Sequence, residues 1–474
     1  MARSQELHHT LENFFSKKIL MDSPLNILMF PWLAHGHISP YLELAKRLSR
    51  RNFTVHLCST AANFKSIEAN ISGGKEYSIR RVVLHLPETH LPRRLHTTNG
   101  LPPEHMDGLK ETLDMAAPEL RRVLAELRPD LLVYDFLQPW APLVASEHGV
   151  PAVEFITSSA TMNAYLFHFF SSAVDDFPFP EIYYREYELV HRDRLLAADE
   201  GVRRNAFAGV RRSNGAVLIK GFREIEAKYS DYLAELLGKK VVAVGALVQE
   251  ANTISGSLEL INWLDKKEKR STVFVSFGSE YFLTKEDILE LAHGLVLSNF
   301  NFIWVIRFPK REDNKIVLED SLPLGFLERV KGRGLVVEGW APQAQILEHE
   351  SVGGFVSHCG CSSMMESMKF GVPIIAMPMH IDQPLNARLV ELIGVGVEVV
   401  RDGRGRLEKE VVAEVIRRVV GDEGIRRSAI SLREKLRLKG DEEIDEVVAV
   451  FVKLIWENKM KKRNKKSKWL ASFH

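Results

Sequence analysis

The sequence predicts an α/β protein made of two strand-and-helix domains. Three observations support this prediction. Strands and helices alternate from about residue 26 to about residue 247, a polar segment at 249–257 interrupts the pattern, and the alternation resumes at Thr272 and continues to about residue 400. A chain of 474 residues with 45% apolar and 26% charged residues is large enough to bury two hydrophobic cores.

The first strand of the N-terminal half leads into a loop that contains two histidines. An apolar run at 26–32 (NILMFPW) precedes His35 and His37, and residues 37–51 have the apolar spacing of a helix. The loop therefore lies at the carboxyl end of a strand, where open parallel sheets bind ligands. Further strands of this half are predicted at 54–58, 80–84, 131–135 and 216–220.

A carboxylate is predicted at the same edge of this sheet. Residues 129–135 (PDLLVYD) form an apolar strand that ends in Asp135. A histidine titrates near neutral pH and can act as a general base, and a carboxylate can orient its ring. From the residues alone, capping a helix or bonding its own loop is the favoured role of Asp135.

The C-terminal half contains a strand that delivers the start of a helix. The apolar run GGFVSH at 353–358 is followed by CGCSS and a helical stretch from Met364. Exposed backbone N–H groups at a helix start suit a diphosphate, and Gly360 allows close approach. Ser363 and Glu366 also match a capping box, which leaves open that Glu366 only caps its helix. A second helix start is predicted at Thr284, three residues before Asp287.

The segment 340–383 resembles the signature box of plant secondary-metabolite UDP-glycosyltransferases, the inverting family-one enzymes with the GT-B fold. The resemblance extends from about residue 26 to about residue 455 and implies two Rossmann-like domains facing each other across a cleft. It also implies the donor contacts: uracil on Trp340 and the backbone of Ala341; ribose on Gln343 and Glu366; the diphosphate on Ser279, His358, Gly360, Ser362 and Ser363; and the donor sugar beside Cys361, Asp382 and Gln383.

The same resemblance implies the catalytic pair. In related enzymes the reactive histidine directly follows the glycine, which selects His37 over His35, and Asp135 becomes its partner. His37 would deprotonate an acceptor hydroxyl, whose oxygen attacks the anomeric carbon opposite UDP and inverts its configuration.

Two positions depart from the family pattern. Cys361 stands where the family usually has Trp, and Ser362 where it usually has Asn. The loss of a large aromatic wall beside the sugar leaves the donor sugar open, and Gln383 favours glucose.

The predicted organisation has six segments. The last helix is expected to cross back to the first domain, and the seven Lys and Arg residues from Lys459 to Lys468 are expected to form a solvent-exposed tail. The segments are an N-terminal extension at 1–23, an acceptor-binding domain at 24–248, a linker at 249–268, a UDP-sugar-binding domain at 269–440, the returning helix at 441–458 and the basic tail at 459–474.

Composition excludes several other classes of protein. The formal net charge is +1 and no nucleic-acid-binding motif is present, so we expect small-molecule partners and a monomer. Three cysteines give no disulfide framework, and no signal peptide or membrane span is recognisable, which favours the cytoplasm. We expect no cofactor beyond the UDP-sugar donor and no metal, since the cluster HCGC at 358–361 offers only three ligands.

The acceptor is predicted less directly. Several motifs look most like the plant branch that extends sugar chains on flavonoid and terpenoid glycosides, so a sugar hydroxyl of a glycoside is the expected acceptor and a free aglycone the alternative. Residues 96–103 and the aromatic-rich stretch 165–179 are candidate acceptor contacts. The aromatic stretch can equally be a buried helical stripe.

Two rival functions were considered. A nicotinamide oxidoreductase would need a Gly-x-Gly-x-x-Gly turn after the first strand, where this chain has WLAHGH at 32–37. A weakly active or non-catalytic nucleotide-sugar binder is suggested by Cys361 and Ser362. The presence of His37 and Asp135 opposes it, because a binder needs no base.

Overall fold

Two parallel β-sheets organise the protein. The computed structural model describes residues 23–72, 77–171, 176–197, 200–250, 258–278, 281–308 and 318–471. In the first half of this described chain, seven parallel strands pair in the order β3-β2-β1-β4-β5-β6-β7. Their bounds are β1 Leu25–Phe30, β2 Phe53–Ser59, β3 Ile79–Val83, β4 Leu131–Asp135, β5 Ala152–Ile156, β6 Ala216–Ile219 and β7 Lys240–Ala243.

Helices cover both faces of this sheet. Both faces of the central strands β2, β4 and β5 are buried, which explains why β4 and β5 contain mostly apolar residues. The helices are α1 His35–Ser49, α2 Ala61–Ser72, α3 Met106–Asp114, α4 Ala117–Leu127, α5 Ala141–Glu147, α6 Ala160–Ser171, α7 Leu189–Leu196, α8 Glu200–Arg212 and α9 Arg223–Leu237. Three short 3₁₀ helices lie at Arg93–Leu95, Pro103–His105 and Glu186–Glu188.

The second half repeats the design with six parallel strands in the order β10-β9-β8-β11-β12-β13 among the described residues. The strands are β8 Thr272–Ser276, β9 Asn301–Ile306, β10 Gly334–Glu338, β11 Val352–Ser357, β12 Ile374–Ala376 and β13 Gly396–Glu398. The helices are α10 Leu258–Leu264, α11 Lys285–Ser298, α12 Leu318–Ser321, α13 Phe326–Arg329, α14 Gln343–Glu348, α15 Cys361–Phe370, α16 Gln383–Leu392, α17 Lys409–Gly421, α18 Glu423–Lys439 and α19 Glu442–Ala471.

The predicted fold class, α/β with two Rossmann-like domains, is confirmed by these sheets. Each sheet has one point where the chain changes direction across the strand order: between β1 and β4 in the first, and between β8 and β11 in the second. Loops diverge at such a point and open a crevice at the carboxyl ends of the strands. The fold therefore creates two crevices, one in each domain. The predicted pair His37 and Asp135 lies at the first crevice, and the predicted diphosphate site at His358 lies at the second.

Of the two predicted helix starts in the C-terminal half, the structure confirms one and contradicts the capping box of the other. The helix start at Thr284 is confirmed, because its side chain accepts a hydrogen bond from the N–H of Asp287 at 3.1 Å. The capping box of Ser363 and Glu366 is wrong: α15 begins at Cys361 after Gly360, so Ser363 lies inside the helix. The carboxylate of Glu366 accepts a hydrogen bond from another helix instead.

The last helix is longer than the sequence suggests and returns to the first sheet. Phe451 is fully buried and its ring meets Phe53 of β2 at a centroid distance of 6.5 Å. The helix continues without a break into the basic segment, where Lys459 pairs with Asp130 at 2.8 Å. Residues 461–464 of this helical segment are exposed, and the expectation of a separate basic tail from residue 459 stays a prediction.

Part of the predicted linker is also structured. Residues 258–264 form helix α10, and Leu264 packs fully buried against Phe274 and Ile303 of the second sheet. Residues 1–22 and 251–257 of the predicted extension and linker lie outside the described residues. The exact domain boundaries stay predictions.

Candidate active site

A histidine and an aspartate meet at the switch point of the first sheet. His37 lies in the first turn of α1, just after β1, and Asp135 is the last residue of β4. Their side chains are 2.7 Å apart, from Nδ1 of His37 to Oδ2 of Asp135. Asp135 is fully buried, whereas the His37 side chain keeps 20% of its exposure. The pairing of β1 with β4 in the sheet brings together residues that are 98 positions apart in the chain.

Two further contacts position this pair. The Oγ1 of Thr157, just past β5, lies 3.1 Å from His37 Nδ1. The backbone N–H of Leu137 donates to the second oxygen of Asp135 at 3.1 Å. The loop bond that the sequence left open for Asp135 thus exists together with the bond to histidine. An acidic partner on Nδ1 favours the tautomer with Nδ1 protonated, which leaves Nε2 as the basic nitrogen.

The switch point of the second sheet faces this pair with a histidine and a helix start. His358 follows β11, and its ring lies against two glycines, Gly278 after β8 and Gly360 before α15. A Cβ on Gly360 would come within 2.5 Å of the Nε2 of His358, and one on Gly278 within 2.8 Å. Burial lowers the pKa of His358 to about 3, with a smaller contribution from His380. At neutral pH this ring is an uncharged hydrogen-bonding group.

The first turn of α15 completes this side of the crevice. Its N-cap is Gly360, which offers no side-chain cap. The backbone N–H of Cys361 bonds the carboxylate of Asp382, and the next N–H groups of the turn are available to an anion. Cys361, Ser362 and Ser363 occupy that turn and line the crevice. Burial raises the pKa of the Cys361 thiol to about 12, so this thiol is neutral.

An exposed indole and a polar pair lie beyond the helix start. Trp340 is 51% exposed at the mouth of the crevice, as a stacking platform must be. The amide of Gln343 donates to the carboxylate of Glu366 and lies 3.4 Å from Ser363 Oγ. Burial raises the pKa of Glu366, and the bond from Gln343 opposes this rise. These polar groups can hold a diol, such as a ribose.

Asp382 and Gln383 lie at the start of α16, between the two sheets. The Oε1 of Gln383 accepts from the backbone N–H groups of Met379 and His380 at 3.0 and 3.1 Å, which locks the preceding loop. Asp382 accepts from the amide of Asn386 at 2.9 Å. Burial raises the pKa of Asp382 to about 6 despite this bond.

All of these groups surround one cleft between the sheets, with a volume of about 710 Å³. The His37 face and the α15 face are opposite walls, and Asp135 lies behind His37. Ser279 lies outside the described residues. The predicted site residues that line the cleft are His37, Trp340, Ala341, Gln343, His358, Gly360, Cys361, Ser362, Ser363, Glu366, Asp382 and Gln383.

The two predicted acceptor stretches contribute little to this cleft. Tyr165 is 5% exposed and packs edge-on against Phe177 and Tyr184, so this aromatic stretch is mainly a buried stripe. Of residues 96–103, Asn99 lines the cleft, while Thr97 bonds Asn63 and anchors the loop. Three further polar residues line the cleft and were not named from the sequence: Ser39, Ser158 and Asn163.

Sequence analysis also missed Thr157 and Asn386. Thr157 follows β5, a strand that was not recognised individually because Glu154 interrupts its apolar run. Asn386 is fully buried, and its amide donates both to Asp382 and to the carbonyl oxygen of Cys359. Its position one helical turn after Asp382 is the signal that could have revealed it.

The described residues were also compared with the patterns of membrane helices and metal sites. None of its helices is both long and apolar enough to cross a membrane. Within the same residues, no three His, Cys, Asp or Glu side chains gather as metal ligands do.

Two facing Rossmann-like domains, with a His–Asp pair on one wall and a diphosphate-type helix start on the other, define a nucleotide-dependent transferase of the GT-B class. The family model for UDP-glucoronosyl and UDP-glucosyl transferase matches residues 236–451, and the model for a glycosyltransferase N-terminal domain matches residues 23–249. The chain belongs to the UDP-glycosyltransferase family, and the protein is a UDP-dependent glycosyltransferase.

Characterised relatives are similar over nearly their whole length. The chain is 50% identical to mogroside IIIx synthase of Siraitia grosvenorii, covering 89% of this chain and 92% of that one. It is 48% identical to β-D-glucosyl crocetin β-1,6-glucosyltransferase of Gardenia jasminoides, covering 90% and 99%. The structure of Glycyrrhiza uralensis UGT73P12 superposes with a TM-score of 0.82 at 23% identity, over 95% of this chain and 99% of that one, which shows the shared fold.

Proposed function

We propose that this enzyme transfers glucose from UDP-glucose to a sugar hydroxyl of a small plant glycoside, with inversion at the anomeric carbon. The observation that carries the proposal is the bond between His37 and the fully buried Asp135, on the wall opposite the start of α15. A base and an anion site on opposite walls suit attack from the face opposite the leaving diphosphate.

The proposed reaction uses groups that are already in place. Nε2 of His37 removes the acceptor proton while the acceptor oxygen forms a bond to the anomeric carbon. The bond from that carbon to the UDP oxygen breaks, and its electrons leave with UDP. Asp135 stabilises the imidazolium that forms, and the N–H groups of the first turn of α15, together with His358, stabilise the departing diphosphate.

Trp340 and Ala341 bind uracil, Gln343 and Glu366 bind ribose, and Asp382 and Gln383 bind the donor sugar in this proposal. The exposed indole, the Gln343–Glu366 bond and the polar start of α16 support these roles. Glucose is supported by Gln383 and by the named glucosyltransferase relative. Three buried thiols without a disulfide are consistent with a reducing, cytoplasmic setting.

A glycoside acceptor is supported by the polar lining near the base. Ser39, Asn99, Ser158 and Asn163 place hydroxyl and amide groups around the His37 wall, and Asn163 bonds Ser158 at 2.9 Å. Sugars present hydroxyl groups that such side chains can bind, whereas a flat aglycone offers them few hydrogen-bonding groups. The Gardenia relative takes β-D-glucosyl crocetin, by its name, as acceptor.

The decisive experiment is a mass-spectrometric transfer assay with UDP-glucose, UDP-xylose, UDP-glucuronate and UDP-rhamnose against matched aglycones and their glucosides. We expect a mass gain of one hexose on glucosides with UDP-glucose. His37→Ala should reduce turnover by about 10²- to 10⁴-fold, and the neighbouring His35→Ala by much less. Transfer to aglycones alone would refute the glycoside acceptor, and no transfer from any donor would favour a nucleotide-sugar binder.

A further inference from the structure

A lysine from the first domain reaches the start of α15. Lys220 directly follows β6, and its backbone N–H bonds the carbonyl of Ile156 in the neighbouring strand at 3.0 Å. Its ammonium nitrogen donates to the hydroxyl of Ser362 at 2.6 Å across the domain boundary. The residue is 1% exposed, so this cation is held between the two domains rather than in solvent.

The described residues provide no counter-charge in contact with this lysine. Burial lowers the pKa of Lys220. Three carboxylates oppose this through space, and each is bonded to a different side chain: Glu43 to Lys46, Glu366 to Gln343, and Asp382 to Asn386. Burying a cation without a paired anion is costly, and a hydroxyl oxygen compensates only part of that cost. An anion at the start of α15 would supply the missing counter-charge.

We propose that Lys220 binds the diphosphate of the UDP-sugar, so that the acceptor domain supplies a positive charge to the leaving group. This inference rests on the proposed function. Ser362, where the family usually has Asn, has a short side chain that lets the lysine nitrogen approach the first turn of α15. Lys220, His358 and the backbone N–H groups of that turn then share the charge that develops as UDP departs.

Calorimetric titration with uridine, UMP and UDP tests this role in two variants. Lys220→Met removes the charge and the bond to Ser362, whereas Lys220→Gln removes the charge and keeps an amide donor. We expect both to weaken UDP binding by about 10- to 100-fold, as loss of a charge-assisted hydrogen bond does, and to change uridine binding by less than about twofold. The lysine variants should also lose kcat, because the charge acts on the leaving group.

Lys369→Met is the matched control. Lys369 lies near the other end of α15 and also contacts the first domain, through the carbonyl of Val248 at 3.4 Å. It should leave UDP affinity unchanged. Equal losses for uridine and UDP in Lys220→Gln, or unchanged UDP affinity in that variant, would overturn the inference while the proposed function stands. Failure of the wild-type enzyme to bind UDP would overturn the proposed function together with the inference.

Discussion

Nδ1 of His37 touches two oxygen atoms, one from Asp135 and one from Thr157. A ring held in this way has one orientation and one favoured tautomer, so its basic nitrogen is presented to the acceptor without a search among rotamers. The aspartate is effective because it is fully buried and also anchored by the N–H of Leu137. At the scale of single residues, the orientation of each functional side chain in this pair is fixed by hydrogen bonds to neighbouring groups.

Asp135→Asn tests the orienting role. The amide keeps the size of the side chain but loses the charge that stabilises the imidazolium, and it can stabilise the wrong tautomer. We expect kcat to fall by about 10²- to 10⁴-fold with little change in the affinity for UDP. Steady-state kinetics and UDP titration measure the two quantities separately. A fall in UDP affinity as large as the fall in kcat would show that the residue is structural.

A second residue-scale prediction concerns the buried Glu154 of β5. Burial, and then the charge of Asp135, raise its pKa from 4.5 to about 8. Between these values the folded state keeps a proton that the unfolded state releases, so this group reduces stability as pH rises from about 4.5 to about 8. We expect Glu154→Gln to gain stability relative to wild type across that window. Thermal unfolding between pH 5 and pH 8.5 checks it, and parallel profiles would contradict it.

At the scale of elements, loops that link a strand to the next helix form the α15 face of the cleft. The loop after β11 and the loop after β8 both approach His358 through a glycine, and the two glycines confine the ring. Gly278 has a φ of 76°, which favours glycine in any case, whereas Gly360 has a φ of −58° that any residue could adopt. The requirement at Gly360 is therefore one of space beside His358.

Gly360→Ala follows as the element-scale prediction. Its Cβ would lie 2.5 Å from His358 Nε2, so the imidazole must move away from the diphosphate subsite. We expect UDP affinity to fall by about 5- to 100-fold, the range for a lost hydrogen bond and a displaced backbone donor. Gly421→Ala, at the end of α17 with open space around it, is the control and should bind UDP normally. Normal UDP binding by Gly360→Ala would mean that His358 does not contact the diphosphate.

The substitution Cys361→Trp would restore the residue that the family usually has at this position, but the surrounding cluster has little space for an indole. Cys361 is 6% exposed and belongs to an apolar cluster that includes Met364 and Met365, beside the interface of the two domains. An indole there overfills the cluster, which costs about 1–3 kcal/mol. We expect a lower melting temperature, and a changed donor preference only if the cluster opens toward the cleft. A more stable variant with faster turnover would show that the cavity beside Cys361 accepts the ring.

At the scale of the whole molecule, two features join the domains. Helix α19 leaves the second domain and packs on the first sheet, with Asp445 paired to Arg51 of the first domain at 2.8 Å. On the other side of the cleft, the buried Arg388 of α16 pairs with Glu188 of the first domain at 2.7 Å. Both contacts hold the two walls at a fixed separation, which a reaction across the cleft requires.

Phe451→Ala tests the contribution of the returning helix. Phe451 is fully buried among β1, β2 and α19 residues, and truncation of such a ring costs about 3–5 kcal/mol. Denaturant unfolding should show this loss, and transfer activity should fall at temperatures where the wild type is stable. Leu438→Ala, at a side chain that is 78% exposed, should change stability by less than about 0.5 kcal/mol. A Phe451→Ala loss no larger than that would show that α19 adds little to the fold.

The α/β class, the two-domain repeat and most of the predicted residues that line the cleft could be recognised from the sequence. Apolar runs mark strands buried on both faces, and residues such as His37, Asp135 and His358 follow those runs directly, so position along the chain already indicates the sheet edge. The helix start at Thr284 was predictable because capping depends on a few neighbouring residues.

Which of these groups meet depends on how distant parts of the chain pack together. The 2.7 Å contact of His37 with Asp135 depends on strand order, the bond of Glu366 with Gln343 on the packing of two helices, and the reach of Lys220 to Ser362 on the docking of two domains. The basic segment after residue 459 continues α19, whose residues between Ile444 and Ile455 pack on the first sheet. Local sequence patterns indicate which conformation a short segment prefers. These contacts join residues that lie tens to hundreds of positions apart, and only the folded chain brings such residues together.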